Sequence, residues 1–240
     1  MCGIGGIYSL DQTRPGPDAA RAMGLAMAHR GPDGEGLHVS PDGRAVLAHR
    51  RLAIVDLAPQ AGQPLHNEDE TVWVVFNGEI YNHRELRAEL TGLGHRFHTS
   101  HSDTEVLVHG YEQWGLGLLD RLAGMFALAL LDERTGRLLL ARDRIGVKPL
   151  YFAMLPGTLL FASEIKALTA HPGFTRRVEP AALYHYLTFM TAPAPLTMFR
   201  DVFKLPAGCW LEAGPGGTLR SGRWWDALPG PLPQEVSGLS

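Results

Sequence analysis

The sequence contains very little cysteine and no long hydrophobic segment. Only two of its 240 residues are cysteines, Cys2 and Cys209, which is too few for the disulfide framework of a small secreted protein. The longest apolar run, residues 125–131, is as long as one strand and much shorter than a membrane-spanning helix. The first residues lack the basic leader of a signal peptide. These observations predict a cytoplasmic protein without a membrane segment.

An excess of positive charge is also missing from the sequence. The chain has 22 lysines and arginines against 25 aspartates and glutamates, which gives a formal net charge of -3. The basic residues are scattered, whereas a nucleic-acid-binding protein usually concentrates them in a patch. Hydrophobic residues make up 45% of the chain and charged residues 20%, as in an ordinary globular protein. We therefore expect neither nucleic acid nor membrane among its partners.

Glycine-containing turns separate short apolar runs at three places, residues 41–43, 135–136 and 156–157. Each pattern predicts a β-hairpin, so the sheets should be largely antiparallel. The runs at 72–76 and 125–131 are apolar without alternation, which is typical of strands buried on both faces. Because an antiparallel sheet normally leaves one face in water, burial of both faces predicts a layered sandwich.

Helix start signals are fewer. Asn82 is followed three residues later by Glu85, and Ser102 by Glu105, and both pairs fit the capping box that begins a helix. Two more helices are predicted at about 18–29 and 180–187. Since the helices are grouped and do not alternate with the strands, the pattern favours the α+β class.

The position of Cys2 allows two interpretations. A free cysteine usually packs as a small apolar residue, here at the start of a first strand over residues 4–8. The surrounding glycines do not fit a dinucleotide-binding loop, because Tyr8 stands where the third glycine would be. Alternatively, removal of Met1 would leave a thiol and a free α-amine on one residue. That amine, with a reference pKa of about 7.7–8.0, could act as the base for the thiol.

Several motifs follow one another along the chain: CGIGG (2–6), HRGPDG (29–34), HRRLAIVD (49–56), FNGEIYNH (76–83), SDTEV (102–106) and ARDRIGVKPLYF (141–152). Together they closely resemble the glutamine-hydrolysing domain of asparagine synthetases. This is a class II glutamine amidotransferase domain of the N-terminal-nucleophile hydrolase superfamily. The resemblance extends from Cys2 to about residue 226. It implies a four-layer αββα sandwich, in which two antiparallel sheets lie between helical layers.

The resemblance also implies the chemistry of individual residues. Cys2 would attack the side-chain amide of glutamine and form a γ-glutamyl thioester. Asn77 and Gly78 would form the oxyanion hole, although an Asn-Gly pair alone would indicate a hairpin turn. The HRGPDG segment, residues 29–34, is expected to form a loop near the nucleophile.

The remaining implied residues hold the two charged groups of the substrate. Arg51 would bind the α-carboxylate, with which a guanidinium forms two parallel hydrogen bonds. Glu79 and Asp103 would bind the α-ammonium group, although Asp103 would also suit the start of a helix. The catalytic residues are thus predicted to be Cys2, Asn77 and Gly78, and the substrate-binding residues Arg51, Leu52, Ala53, Ile54, Val55, Asn77, Gly78, Glu79 and Asp103.

Three histidines, His95, His98 and His101, form an H-x-x-H-x-x-H run that suggests a metal site. A spacing of three does not place side chains on one face of a strand, and no thiolate lies nearby in the sequence. The implied chemistry needs no metal in this domain. We therefore expect neither a metal nor a cofactor here.

The resemblance covers only part of a complete asparagine synthetase, which continues into an ATP-pyrophosphatase domain with an S-G-G-x-D-S loop. This sequence has no such loop. We expect residues 2–190 to form the amidotransferase domain, 191–228 an extension towards a synthetase domain, and 229–240 a linker or disordered tail. ATP and Mg²⁺ are expected only in that missing domain. The expected partners are L-glutamine, the synthetase domain or a separate synthetase subunit, and a second copy of the chain in a homodimer.

The predicted function is the glutaminase half of an asparagine synthetase, which supplies ammonia for the conversion of aspartate to asparagine. One alternative is the glutaminase domain of a related amidotransferase with another acceptor. A second alternative is a non-catalytic module that binds glutamine or regulates a partner. Retention of Met1 would favour that last alternative, because an extended nitrogen cannot serve as the base.

Overall fold

The computed structural model describes residues 1–11, 13–53 and 61–228. The strands are β1 (Gly3–Ser9), β2 (Gly34–Val39), β3 (Ala45–Arg51), β4 (Leu65–His66), β5 (Val72–Ile80), β6 (Gly124–Asp132), β7 (Arg137–Arg142), β8 (Tyr151–Leu155), β9 (Thr158–Ala162), β10 (Val202–Lys204), β11 (Cys209–Gly214) and β12 (Thr218–Arg223). The α-helices are α1 (Pro17–Leu25), α2 (His83–Gly92), α3 (Glu105–Trp114), α4 (Leu118–Arg121), α5 (Ile165–Leu168) and α6 (Pro180–Phe189).

The strands of the described residues form two antiparallel sheets. The first sheet has the order β10-β8-β9-β1-β3-β2, and the second has the order β12-β11-β7-β6-β5-β4. Strand β1 lies between β9 and β3 in the first sheet. In the second sheet β5 and β6 pair along their whole lengths, from Val72 opposite Asp132 to Ile80 opposite Gly124. Cys2 therefore stands directly before an inner strand of the first sheet.

Three layers of apolar contacts hold the two sheets and the helices together. Leu128 and Leu130 of β6 belong to the cluster that joins the second sheet to α2, α3 and α4. Their neighbours Ala127 and Ala129 belong to the cluster between the two sheets. A third cluster joins the first sheet to α1 and α5. The four-layer αββα sandwich of the α+β class is thus confirmed, and the unbroken apolar runs are the strands with two buried faces.

The three predicted hairpins are confirmed, between β2 and β3, β6 and β7, and β8 and β9. Each turn contains a glycine with a positive φ, namely Gly43 at 71°, Gly136 at 65° and Gly157 at 66°. Only glycine adopts this conformation at little cost, which is why the turn residues located these hairpins correctly.

The predicted helices are present, but two of them end at residues other than those predicted, and neither predicted capping box forms. The first helix ends at Leu25, and residues 28–30 form a separate 3-10 turn. Helix α6 continues to Phe189. Asn82 precedes α2, but its side chain does not cap the helix. It bridges to the next element, because Asn82 Nδ2 donates to the Arg121 carbonyl and the Ala123 N–H donates to Asn82 Oδ1.

The capping box predicted at Ser102 is also wrong. Helix α3 begins at Glu105, and Thr104 occupies the cap position without a side-chain hydrogen bond. The carboxylate of Glu105 instead accepts hydrogen bonds from the N–H groups of His98 and Thr99, at 2.6 and 2.9 Å. In both helices a tertiary contact has replaced the local cap, with the segment after α4 for Asn82 and with the preceding loop for Glu105.

The chain after residue 190 contributes to both sheets. Strand β10 pairs with β8 in the first sheet, and β11 pairs with β7 in the second. The domain limits proposed from the sequence stay predictions, and the predicted tail at 229–240 lies outside the described residues. Among the described residues, no helix is both long and apolar enough to cross a lipid bilayer.

Candidate active site

A pocket lies where the start of β1, the end of β3 and the middle of β5 meet. The residues that line it are Met1, Cys2, Arg51, Leu52, Ala53, Ala61, Gln63, Phe76, Asn77, Gly78, Glu79, Ser102, Asp103, Thr104, Met125 and Lys148. The fold thus brings together eight residues singled out in the sequence: Cys2, Arg51, Leu52, Ala53, Asn77, Gly78, Glu79 and Asp103. The other two, Ile54 and Val55, lie outside the described residues.

The thiol of Cys2 is half-buried and held beside the chain that follows β3. Its Sγ lies 3.6 Å from the Leu52 carbonyl oxygen, and the Leu52 N–H points to the sulfur at 3.4 Å. The neighbouring glycine, Gly3, begins β1, whose next residue donates its N–H to Ser163 Oγ at 3.0 Å. The sulfur is therefore fixed at the edge of the pocket and is not sealed in the core.

Arg30 holds the backbone of Cys2. Its Nε donates to the Cys2 carbonyl at 2.9 Å, and its guanidinium forms an ion pair with Glu164 at 2.8 Å. The Arg30 side chain is only 8% exposed and that of Glu164 24%, so this pair is partly shielded from water. The sequence did not identify Arg30 as a site residue. Its place within HRGPDG, the segment expected near Cys2, was the one available signal.

The same loop also supports the end of β3. The Asp33 N–H donates to the Arg51 carbonyl at 3.0 Å, and the Ala53 N–H donates to Asp33 Oδ2 at 2.9 Å. Gly31 lies so close to β3 that a Cβ there would be 2.3 Å from the Arg50 carbonyl carbon. The HRGPDG loop therefore binds both the strand that carries Arg51 and the backbone of Cys2.

Asn77 and Gly78 lie inside β5, opposite Ala127 and Phe126, and do not form a hairpin turn. Asn77 is 1% exposed, and its Nδ2 has no hydrogen-bond partner among the described residues. A buried donor without an acceptor is unfavourable, and it is available to a ligand oxygen. At Gly78 a Cβ would be 2.2 Å from the Met125 carbonyl oxygen, so a close approach of β6 requires glycine here.

The pocket contains charges of both signs. Arg51 and Lys148 supply positive charge, and Glu79 and Asp103 supply negative charge. Asp103 is 6% exposed and accepts a hydrogen bond from the Ile80 N–H at 3.0 Å. Burial raises the pKa of Asp103, and this hydrogen bond only partly offsets the effect. A cation bound beside Asp103 would favour its ionised form. Such a charge pattern suits a small zwitterion.

Two further pocket residues were not identified from the sequence. Gln63 accepts a hydrogen bond from the Phe76 N–H at 2.6 Å and donates to Thr104 Oγ1 at 3.3 Å. It thereby links β5 to the segment that carries Asp103. Lys148 belongs to the turn before β8, and its N–H donates to Asp143 Oδ2 at 3.0 Å. Gln63 reaches the pocket through contacts with residues distant in sequence, whereas Lys148 lies in the ARDRIGVKPLYF motif, in which no site residue was predicted.

Comparison with known proteins points to one family. A family profile described as "Glutamine amidotransferase domain" matches residues 1–225. The chain is 43% identical over 180 residues to asparagine synthetase [glutamine-hydrolyzing] 2 of Bacillus subtilis, covering 74% of this chain and 23% of that protein. It is 36% identical over 242 residues to asparagine synthetase [glutamine-hydrolyzing] 1 of the same organism, covering 100% of this chain and 38% of that protein. The chain thus spans well under half the length of these relatives.

A solved structure shares the fold. Glutamine phosphoribosylpyrophosphate amidotransferase from Bacillus subtilis superposes with a TM-score of 0.69 at 21% sequence identity. The match covers 93% of this chain and 49% of that one. At this identity the likeness supports the fold alone, and it agrees with the two sheets between helical layers described above.

Proposed function

The chain belongs to the class II glutamine amidotransferase family, and from this premise we propose that it hydrolyses L-glutamine to glutamate and ammonia. One observation carries the proposal. The Cys2 thiol and the Asn77 Nδ2, which has no partner among the described residues, line the same pocket as one arginine and two carboxylates. A nucleophile, a donor for a developing oxyanion and binding groups for a zwitterion are the elements that such a reaction needs.

Substrate binding follows from the charges. We propose that the Arg51 guanidinium binds the α-carboxylate of glutamine, and that Glu79 and Asp103 bind its α-ammonium group. The raised pKa of Asp103 is consistent with a carboxylate buried to receive a cation. With both charged groups of the α-carbon held, the side-chain amide would extend towards Cys2 and Asn77.

The first chemical step requires removal of Met1, which lines the pocket and is 56% exposed. The freed α-amine of Cys2 takes the thiol proton, and Sγ attacks the side-chain carbonyl carbon of glutamine. Asn77 Nδ2 and the Gly78 N–H donate to the resulting oxyanion. The carbon–nitrogen bond then breaks as the α-ammonium returns a proton, ammonia leaves, and a γ-glutamyl thioester remains.

Hydrolysis of the thioester completes the reaction. The α-amine takes a proton from water, the hydroxide oxygen attacks the thioester carbon, and the carbon–sulfur bond breaks. The thiolate recovers its proton and glutamate leaves. Arg30 would keep Cys2 in place throughout, because it holds the Cys2 carbonyl, which takes no part in the reaction.

We further propose that the ammonia serves an ATP-dependent synthetase, which converts aspartate to asparagine. The names of the relatives support this acceptor. An exposed apolar surface on α6 supports a protein partner, since Tyr184, Leu187 and Phe189 are 70%, 73% and 65% exposed. To test this, the chain is supplied with a synthetase partner, aspartate, ATP, Mg²⁺ and amide-¹⁵N-glutamine. Formation of ¹⁵N-labelled asparagine would support the proposal. A cytoplasmic location and a homodimer stay predictions.

The glutaminase activity is tested with purified chain and glutamine. We expect glutamate release, its loss in Cys2→Ala, and its retention in Cys209→Ala, which removes the other cysteine. Equal turnover by the wild type and Cys2→Ala would overturn the proposal. Intact-mass analysis adds a check on the base. If Met1 stays attached and no glutamate forms, a module that binds glutamine without hydrolysing it becomes the better account.

A further inference from the structure

Two histidines and two glutamates meet beside α3, apart from the residues that line the active-site pocket. We refer to Glu68, His95, His109 and Glu112 as the His95–His109 cluster. One nitrogen or oxygen atom of each residue lies within 4.8 Å of the corresponding atoms of the other three. His109 and Glu112 lie one turn apart on α3, whereas His95 follows α2 and Glu68 lies between β4 and β5.

His109 is the buried member of the cluster. It is 0% exposed, and neither of its ring nitrogens makes a well-aligned hydrogen bond among the described residues. Its Nδ1 lies 3.3 Å from Glu68 Oε2, which is close enough for an ion pair. A buried imidazole without a well-aligned partner is unfavourable. A cation bound between Nδ1 and the neighbouring carboxylates would give that nitrogen a partner.

The spacing within the cluster is close to that of a coordination shell. His95 Nδ1 lies 3.8 Å from Glu112 Oε2, and the rings of His95 and His109 have centroids 5.2 Å apart. Ligand atoms bound to zinc at about 2.1 Å in a tetrahedron are about 3.4 Å from one another. The two measured distances of 3.3 and 3.8 Å bracket that value. Small side-chain rotations would bring the four atoms around one ion.

Oxygen atoms outside the cluster lie beside the second ring nitrogen of each histidine. His109 Nε2 lies 3.5 Å from Oε1 of the buried Glu105, and His95 Nε2 lies 3.2 Å from Gln113 Oε1. A histidine that binds a metal through one nitrogen usually donates from the other to a carboxylate or carbonyl oxygen, and this contact fixes its orientation. Both histidines are therefore oriented with Nδ1 towards the centre of the cluster.

The two carboxylates are oriented in the same manner. The Arg96 N–H donates to Glu68 Oε1 at 2.6 Å, and the Arg134 guanidinium donates to Glu112 Oε1 at 3.2 Å. In each glutamate it is the other oxygen, Oε2, that faces a histidine. Oε2 of Glu112 also accepts a hydrogen bond from Asn67 Nδ2 at 3.2 Å, which leaves its second lone pair for an ion. In each of the four side chains, one atom thus contacts a group outside the cluster and another atom faces the centre of the cluster.

From this arrangement we propose that the His95–His109 cluster binds a divalent transition-metal ion, with Zn²⁺ as its reference ligand. Two carboxylates with two neutral imidazoles carry a charge of about -2, which balances such an ion. Imidazole nitrogen suits Zn²⁺ and similar ions, whereas Mg²⁺ and Ca²⁺ prefer oxygen ligands alone. The ion would join α3 to the segments before β5 and after α2.

This site differs from the H-x-x-H-x-x-H run that the sequence suggested. Only His95 belongs to both. The ring of His98 lies near that of His66, with centroids 6.3 Å apart, and His101 is exposed. The sequence predicted no metal in this domain, from the spacing of that run and from the implied chemistry, so the proposed site departs from that prediction. The cluster instead uses residues up to 44 positions apart, from 68 to 112.

The test measures Zn²⁺ binding to the tag-free full chain after treatment with a chelator and dialysis. Isothermal titration calorimetry should show one equivalent bound. His95→Ala and Glu112→Gln should each weaken the affinity by about tenfold or more. These two residues are partly exposed at the surface, so the variants should fold, and circular dichroism would verify this. Substitution of Co²⁺ should give visible absorption bands of a site with nitrogen and oxygen ligands.

Three control variants separate this site from other zinc ligands. His101→Ala removes a nearby exposed histidine and should bind Zn²⁺ as tightly as the wild type. Cys2→Ala and Cys209→Ala remove the two thiols, and each should leave the affinity unchanged whether or not the chain hydrolyses glutamine. Absence of stoichiometric binding, or equal affinity in the wild type, His95→Ala and Glu112→Gln, would overturn the proposal. In that event the cluster is an ion-pair network around His109.

Discussion

Replacement of Asn77 by alanine should reduce catalysis strongly while leaving the fold almost as stable. The Asn77 amide nitrogen is buried and has no partner among the described residues, so its removal breaks no hydrogen bond of that nitrogen in the free protein. Loss of one oxyanion donor costs about 2.7–4 kcal/mol of transition-state stabilisation, which is a roughly 10²–10³-fold fall in kcat. The KM for glutamine should change little, because the proposed contact forms only as the oxyanion develops.

The stability of Asn77→Ala depends on two opposing effects. Truncation removes packing atoms, but it also removes a buried donor whose lack of a partner costs about 1–3 kcal/mol. We therefore expect the free energy of unfolding to change by no more than about 1 kcal/mol, measured by urea denaturation.

Asn82 provides a matched control from the same motif. Its amide makes two hydrogen bonds, to the Arg121 carbonyl and from the Ala123 N–H. Asn82→Ala should lower the free energy of unfolding by about 1–3 kcal/mol and leave kcat unchanged. The reasoning would be refuted if Asn77→Ala kept its full kcat, or if its activity and stability fell together as a consequence of unfolding.

Three further predictions concern packing, charge and acid stability. Gly78→Ala should lower the free energy of unfolding by about 1–3 kcal/mol, because the new Cβ meets the backbone of β6. Gly92→Ala is the control and should not lower it, because nothing lies within 4 Å of the added Cβ. Chemical denaturation of the two variants distinguishes these outcomes. Arg51→Lys should raise KM for glutamine about tenfold or more in steady-state assays, since the planar fork that matches a carboxylate is lost; an unchanged KM would remove Arg51 from the binding site. Burial alone would raise the pKa of Glu105, but the close approach of the His109 ring and hydrogen bonds from the Thr99 hydroxyl and two backbone N–H groups lower it to about 2. Its contribution to stability is therefore present above the unfolded value near 4.5 and is lost as the pH falls towards 2. Over that range Glu105→Gln should lose less stability than the wild type in urea titrations, and equal losses would contradict this assignment.

The hairpins could be predicted because each depends on a local requirement. Gly43, Gly136 and Gly157 all adopt a positive φ, so the turn residues alone located three pairs of strands. The two-sided burial of β5 and β6 was equally visible, since their apolar runs have no polar face. These features define the layered sandwich before any long-range contact is known.

The predicted helix caps do not form because the side chains concerned make hydrogen bonds with other segments. Asn82 is bound to the segment after α4, and Glu105 to the loop before α3. The intrinsic preference for a cap is worth only about 1 kcal/mol, so a few tertiary hydrogen bonds exceed it. Local patterns therefore predicted that the helices exist but not how they begin.

The residues of the pocket could be assembled from the family resemblance, but their supporting contacts could not. Arg30 acts on Cys2 through a side-chain contact across 28 positions, and Gln63 joins β5 to Thr104. The His95–His109 cluster is similarly invisible in the sequence, because Glu68, His109 and Glu112 meet only when α3 packs beside the chain that leads into β5.

The most direct measurement of the central claim is covalent labelling of the chain with an electrophilic glutamine analogue, 6-diazo-5-oxo-L-norleucine. Peptide mass spectrometry should find one adduct, on a terminal peptide that begins with Cys2, and excess glutamine should prevent it. An adduct on Cys209, labelling of a chain that retains Met1, or no adduct on a folded chain lacking Met1 would contradict the account.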